Sequence, residues 1–143
     1  MAEITKMKMV AKPQIELVTE RDENEEAIKT VKVDVEPKMN IKKLLFISRD
    51  FPEANEIATL QIGGTGMELD MVKLFKIVYL AYRQANMSEY FSFEDFQEMY
   101  EFDMSEATQI YMAMINKEYR AEYLKSIQNA ADKIKLKSNG GSK

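Results

Sequence analysis

Between Met71 and Tyr82 the chain carries apolar side chains on nearly every face a helix would present, with Lys73 and Lys76 as the main interruptions. A helix that is apolar most of the way round must be surrounded by protein. Leu69 extends the run, Thr65 and Glu68 match a capping box, and Asn86 bounds it, so the pattern predicts a helix over about residues 66–86. That helix should form the centre on which the rest packs. The longest uninterrupted apolar stretch runs only from Ile77 to Tyr82, far short of a membrane span.

The sequence before it follows a different period. After an opening of small, charged and Met residues over 1–12, read as a mobile arm, Ile15 and Leu17 alternate with polar neighbours. Val31, Val33 and Val35 do the same before Pro37. Period-two alternation with β-branched residues predicts strands over about 14–19 and 29–36. Between them, Glu20 to Glu26 holds five acids and one base, which suits a solvated hairpin loop. Two strands alone are marginal in water, so the hairpin must pack on the remainder or on another chain.

From Asn40 the helical period returns. Asn40 is placed to cap a helix bearing Ile41, Leu44 and Leu45, and Pro52 suits the first turn of another with Ala54, Ile57 and Ala58. Ser92 with Asp95 caps a short helix bearing Phe93, Phe96 and Tyr100. Asp103 with Glu106 opens a last helix that carries Ile110, Met114, Tyr123 and Ile127 and frays into Lys133, Lys135 and Lys137. The expected organisation is an arm over 1–12, a β-hairpin over 13–37, a helical domain over 38–137 and a flexible tail over 138–143. The expected fold class is mainly α with an N-terminal β-hairpin, a small helical bundle around one buried central helix.

The chemistry available is narrow. Among 143 residues there is no Cys, His or Trp, which removes thiol and imidazole nucleophiles, disulfides and zinc fingers. With 20 basic against 24 acidic residues the net charge is −4, a poor fit to nucleic acid or anionic lipid. Gly63-Gly64-Thr65-Gly66 is not followed by the Lys and hydroxyl of a phosphate loop and is read as a flexible connector. Asp22, Asn24 and Glu26 mimic the start of a calcium loop, but Ala27 and Val33 stand where Gly and a bidentate Glu are required. No catalytic residue, metal or cofactor is expected. The opening Met1-Ala2-Glu3-Ile4 lacks a secretory h-region, and an intracellular location is expected.

What remains is a binding surface. Phe75, Tyr79 and Tyr82 share helical spacing on the central helix, as do Phe93, Phe96 and Tyr100 on the short one. These six could line a groove for a partner helix, with Glu94, Glu98 and Glu101 as its polar rim. The competing reading is that all six fill the core. Of the eleven Met residues, Met71, Met104, Met112 and Met114 are expected in the core, and Met7, Met9 and Met39 at a contact surface.

The order of parts carries a family likeness. Met39-Asn40-Ile41-Lys42-Lys43-Leu44-Leu45 precedes a Gly-containing break, then comes Met71 to Tyr82, Asn86, and Phe91-Ser92-Phe93-Glu94-Asp95-Phe96. Over roughly 39–127 and the charged tail this resembles the tail assembly chaperones of long-tailed bacteriophages of the siphophage type. The resemblance implies a small, helical, non-enzymatic protein of the host cytoplasm that coats the tape-measure protein and helps recruit tail-tube subunits. It also implies a longer, frameshifted form of the chain and leaves a homo-oligomer open. The family supplies no catalytic residues. The alternative is a structural subunit of a phage particle whose hairpin and arm make the subunit contacts.

Overall fold

The computed structural model describes residues 10–57 and 70–140, with side chains as far as 134. The expectations for 1–9, for Ala58, for Gly63 to Gly66 with Glu68 and Leu69, and for 141–143 lie outside the described residues.

Strands β1 (Gln14–Arg21) and β2 (Ala27–Asp34) pair antiparallel, with Ile15 opposite Val33 and Leu17 opposite Val31. Ile15 and Leu17 are buried, as their alternation requires. The register slips between Val18 and Glu20, leaving Thr19 as an extra residue on β1. Such a bulge re-aims side chains, and it lets Val18 as well as Leu17 be buried. The strands reach further into the acidic run than the sequence suggested. Glu20 faces Lys29, Arg21 meets Glu101 at 3.1 Å, and only residues 22–26 turn. The Asp22 carboxylate accepts the amides of Asn24 and Glu26, and Glu25 takes the left-handed conformation at φ 66°. β2 stops at Asp34 rather than at 36. The Val35 amide still reaches back to the Pro13 carbonyl beside β1, and the Glu36 amide then turns to Ala81 of the central helix.

Helix α1 (Ile41–Ile47) starts at Asn40, whose side chain accepts the Lys43 amide at 3.1 Å. A further helical stretch at 54–57 buries Ala54 and Ile57. The central helix α2 (Met71–Ala85) begins at Met71, not near 66, because the capping carboxylate is that of Asp70, which accepts the Lys73 amide at 2.8 Å. Every residue from Ile77 to Gln84 is buried. α3 (Phe93–Met99) is capped by Ser92 and α4 (Met104–Ile115) by Asp103. The Glu106 carboxylate does not close the capping box but accepts the Tyr100 hydroxyl at 2.7 Å.

The expected single last helix is two. Asn116 leaves the helical conformation (φ −128°, ψ 114°) after α4, and its side chain accepts the Tyr119 amide, capping α5 (Lys117–Gly140). Helix continues to Gly140. The end of the expected arm is also tied, through the Ala11 amide to Gln128 of α5 at 2.8 Å.

Around α2 lie α1, α4 and β2, with α3 against β1 and α5 against α4. Leu44 and Ile47 of α1, Ala107 and Ile110 of α4, and Ile15 and Leu17 of β1 join Leu74, Ile77, Val78 and Leu80 in one core. Each large aliphatic side chain buried this way stabilises by about 1.5–3 kcal/mol. The fold is thus mainly α with an N-terminal hairpin, built on the central helix. Three Met assignments reverse: Met71 and Met104 are exposed, whereas Met39 packs against the core. Among the described residues no helix is long and apolar enough to cross a membrane.

Candidate functional site

The six aromatics singled out by spacing do meet, and four of them lie in the interior. Tyr79 lies edge-on to Phe96 at 5.0 Å and to Phe93 at 5.1 Å. Phe96 stacks with Tyr82 at 5.1 Å and with Tyr100 at 5.4 Å. Phe51, which spacing did not flag, packs on Tyr79 and Phe93 at 4.9 Å each. Tyr79, Tyr82, Phe96 and Tyr100 are all at most 4% exposed, so these four do not line an open groove. Their hydroxyls are satisfied within the chain. Tyr79 donates to the Phe91 carbonyl at 2.9 Å, Tyr82 accepts the Phe91 amide at 2.7 Å, and Tyr100 donates to Glu106. Burial raises the pKa of all three phenols, and for Tyr100 the carboxylate of Glu106 adds to it.

Phe75 and Phe93 are only half-buried and reach the surface. With Met71, Val72, Lys76, Gln97 and Phe102 they line an open depression of about 380 Å³ between the start of α2 and α3. Met71 is 57% and Val72 61% exposed at its edge. The three acids assigned to a rim are exposed, but none of them lines this depression, and Glu98 lies instead along a recess with Val18, Glu20 and Arg21. Glu101 is held by Arg21, which also donates to the Glu98 carbonyl at 2.9 Å. The carboxylates of Glu94 and Glu98 have no ion-pair partner among the described residues. Lys76 pairs with Glu56 at 3.7 Å.

The other end of α2 holds polar residues that the sequence reading missed. Arg83 is 1% exposed, grips Asp50 through two hydrogen bonds of 2.7 and 3.1 Å, and lies 3.5 Å from the centre of the Tyr90 ring. Burial opposes its charge, but hydrogen bonds to Asp50 and Tyr79 outweigh that and hold its pKa above the usual value. Gln84, fully buried, donates to the carbonyls of Glu36 and Lys38 and accepts the Asn40 amide. Asn86 donates to the Asp34 carbonyl. Gln84 and Asn86 clamp the segment that joins β2 to α1, and Arg83 Nε is the one buried side-chain polar atom without a partner among the described residues. A pattern signal did exist: Arg83 and Gln84 continue the helix directly after its apolar run.

A wider cavity of about 620 Å³ between β1, α4 and α5 is lined by Lys12, Glu16, Lys32, Glu106, Gln109 and Tyr123 among others, and is polar. Burial, with Glu106 nearby, pushes the Tyr123 phenol up to about 12. Of the surfaces described, the α2–α3 depression alone joins apolar exposure to the residues named from spacing. Comparison with protein-family models, with curated proteins and with solved structures finds no match to this chain.

Proposed function

We propose that this chain is a non-enzymatic assembly chaperone of the phage-tail type. In the host cytoplasm it binds apolar helical stretches of the tape-measure protein through the α2–α3 depression and helps recruit tail-tube subunits. The observation that carries this reading is the exposure of Met71 and Val72 beside Phe75, Phe93 and Phe102. A client helix presents apolar anchors at three-to-four spacing, and one or two of them fill a depression of this size. Met at the edge adapts to varied anchors, which suits a client with many similar helical segments. Weak, repeated contacts of this sort shield a long apolar helix without enclosing it. The alternative, a particle subunit paired through its hairpin, has the exposed strand β2 in its favour. Lys29 and Lys32 on that strand weigh against it, since edge lysines discourage strand pairing.

The test is co-expression with the tape-measure protein of the same phage. The parent chain should keep the client in the soluble fraction, and Val72→Asp should lose that effect while melting like the parent. A client that stays soluble without this chain, or with Val72→Asp in its place, contradicts the proposal.

A further inference from the structure

Helix α1 carries apolar side chains on the side turned to solvent. It buries Leu44 and Ile47 but leaves Ile41, Leu45 and Phe46 at 56%, 58% and 48% exposed. Ile41 and Leu45 are one turn apart, Phe46 adjoins Leu45, and Lys42 stands three and four residues before them, so the four share one face. Just past the helix, the Arg49 guanidinium lies 5.0 Å from the centre of the Phe46 ring. Lys42 and Arg49 are exposed, as is Lys38 shortly before the helix cap, and none of the three has an ion-pair partner among the described residues. The acids nearest in sequence are already matched, Glu36 by Lys43 and Asp50 by Arg83, each at 2.7 Å. A cationic apolar face on a chain of net charge −4 is a local departure from the whole.

The form of this face narrows what can cover it. It is the convex side of a helix about 10 Å long, and none of its residues lines the depression or the polar cavity. A stable protein interface takes about 800 Å² from each partner, more than three apolar side chains on two helical turns supply. A lipid surface needs neither that area nor a matching pocket. Apolar side chains enter the acyl boundary singly, and each Lys or Arg near an anionic headgroup adds its own attraction. At physiological salt a charge acts over about 8 Å, so the net charge of the whole chain does not decide what one face attracts.

We infer that the α1 face rests on an anionic lipid surface, with Ile41, Leu45 and Phe46 entering the acyl boundary and Lys42 and Arg49 at the phosphates. Arg49 beside the Phe46 ring suits that depth, since a guanidinium reaches up to the headgroups while the ring below it stays in apolar surroundings. One short helix with a few cations gives reversible, salt-sensitive binding rather than a permanent anchor. The face shares no residue with the depression, so lipid binding and client binding are separable.

The chain contains no Trp, so Leu45→Trp places a single fluorescent reporter on the face. Its emission should shift to the blue with vesicles of equal parts phosphatidylglycerol and phosphatidylcholine, and the shift should fade as salt is added. Vesicles of phosphatidylcholine alone should give no shift at the same lipid concentration. Val72→Trp, at the exposed edge of the depression, should give none with either. Lys42→Glu with Arg49→Glu should lower vesicle binding about 30-fold or more, and the melting curve should stay near the parent's because both positions are exposed. Co-sedimentation of the unmodified chain with the same vesicles repeats the test without a substitution. A chain that stays in the supernatant, an equal shift on neutral vesicles, or a shift in Val72→Trp but not in Leu45→Trp overturns the inference. Binding to polyglutamate as tight as to the anionic vesicles would assign the face to an acidic protein and overturn it as well.

Discussion

Arg83 and Asp50 form a two-pronged ion pair in which the cation is 1% exposed and the carboxylate side chain 50% exposed. Removing a partner from a pair like this leaves a buried charge uncompensated, which costs more than the pair contributes as a whole. Asp50→Ala should therefore destabilise the fold by about 3 kcal/mol. Arg83→Leu combined with Asp50→Ala should recover part of that loss. Urea unfolding of the three proteins checks it, and an Asp50→Ala midpoint equal to the parent's would sink the account of this pair.

Ile77 lies in the middle of α2 with no exposed surface. Cutting it to Ala removes apolar contacts and leaves a cavity that the surrounding helices cannot close. The expected loss is about 2–5 kcal/mol. Val72→Ala, three-fifths exposed on the same helix, should change stability by less than about 0.5 kcal/mol. Equal effects at the two positions would mean that α2 is not the centre of the core.

Asn116 ends α4 and caps α5 through its side chain at 2.8 Å from the Tyr119 nitrogen. Asn116→Ala should cost about 1 kcal/mol, as for other lost N-caps. Amide exchange should speed up at the start of α5 more than in α2. Uniform acceleration would show that the break between the helices is not held by this side chain.

Alkaline pH should weaken the fold through Tyr123. Its folded pKa of about 12 lies above the unfolded value near 10, so the folded state keeps a proton that the unfolded chain releases. This contribution is complete below pH 10 and is lost as pH rises from there towards 12. Tyr123→Phe should show a shallower fall in unfolding free energy over that window. Parallel pH profiles for parent and variant would remove Tyr123 from the explanation.

The parts legible in the sequence were those decided locally. Asn40, Ser92 and Asp103 cap helices because a short polar side chain reaches an amide three residues on, a relationship written in the spacing. The central helix was legible because no exposed role suits its apolar run. Other features were not local. Thr19 shifts a register by one residue without changing the composition of the strand. The break at Asn116 falls inside a pattern that keeps helical phase on both sides. Arg83 and Gln84 are buried by partners 33 to 48 residues away, which no window on the sequence includes. At the candidate site, spacing could gather six aromatic residues but could not distinguish a core face from a binding face, because both follow the same period. Phe75 and Phe93 reach the surface only because of where α3 ends up against α2.

The central claim is that the α2–α3 depression receives a client helix, and the methionine methyl groups report on it most directly. Met71 is 57% exposed at the edge of that depression, and Met114 is 3% exposed in the core. In a methyl-labelled sample titrated with a helical segment of the tape-measure protein, the Met71 signal should shift and saturate with added segment while the Met114 signal holds its position. Binding that moves other methyl signals and leaves Met71 unmoved would contradict the account.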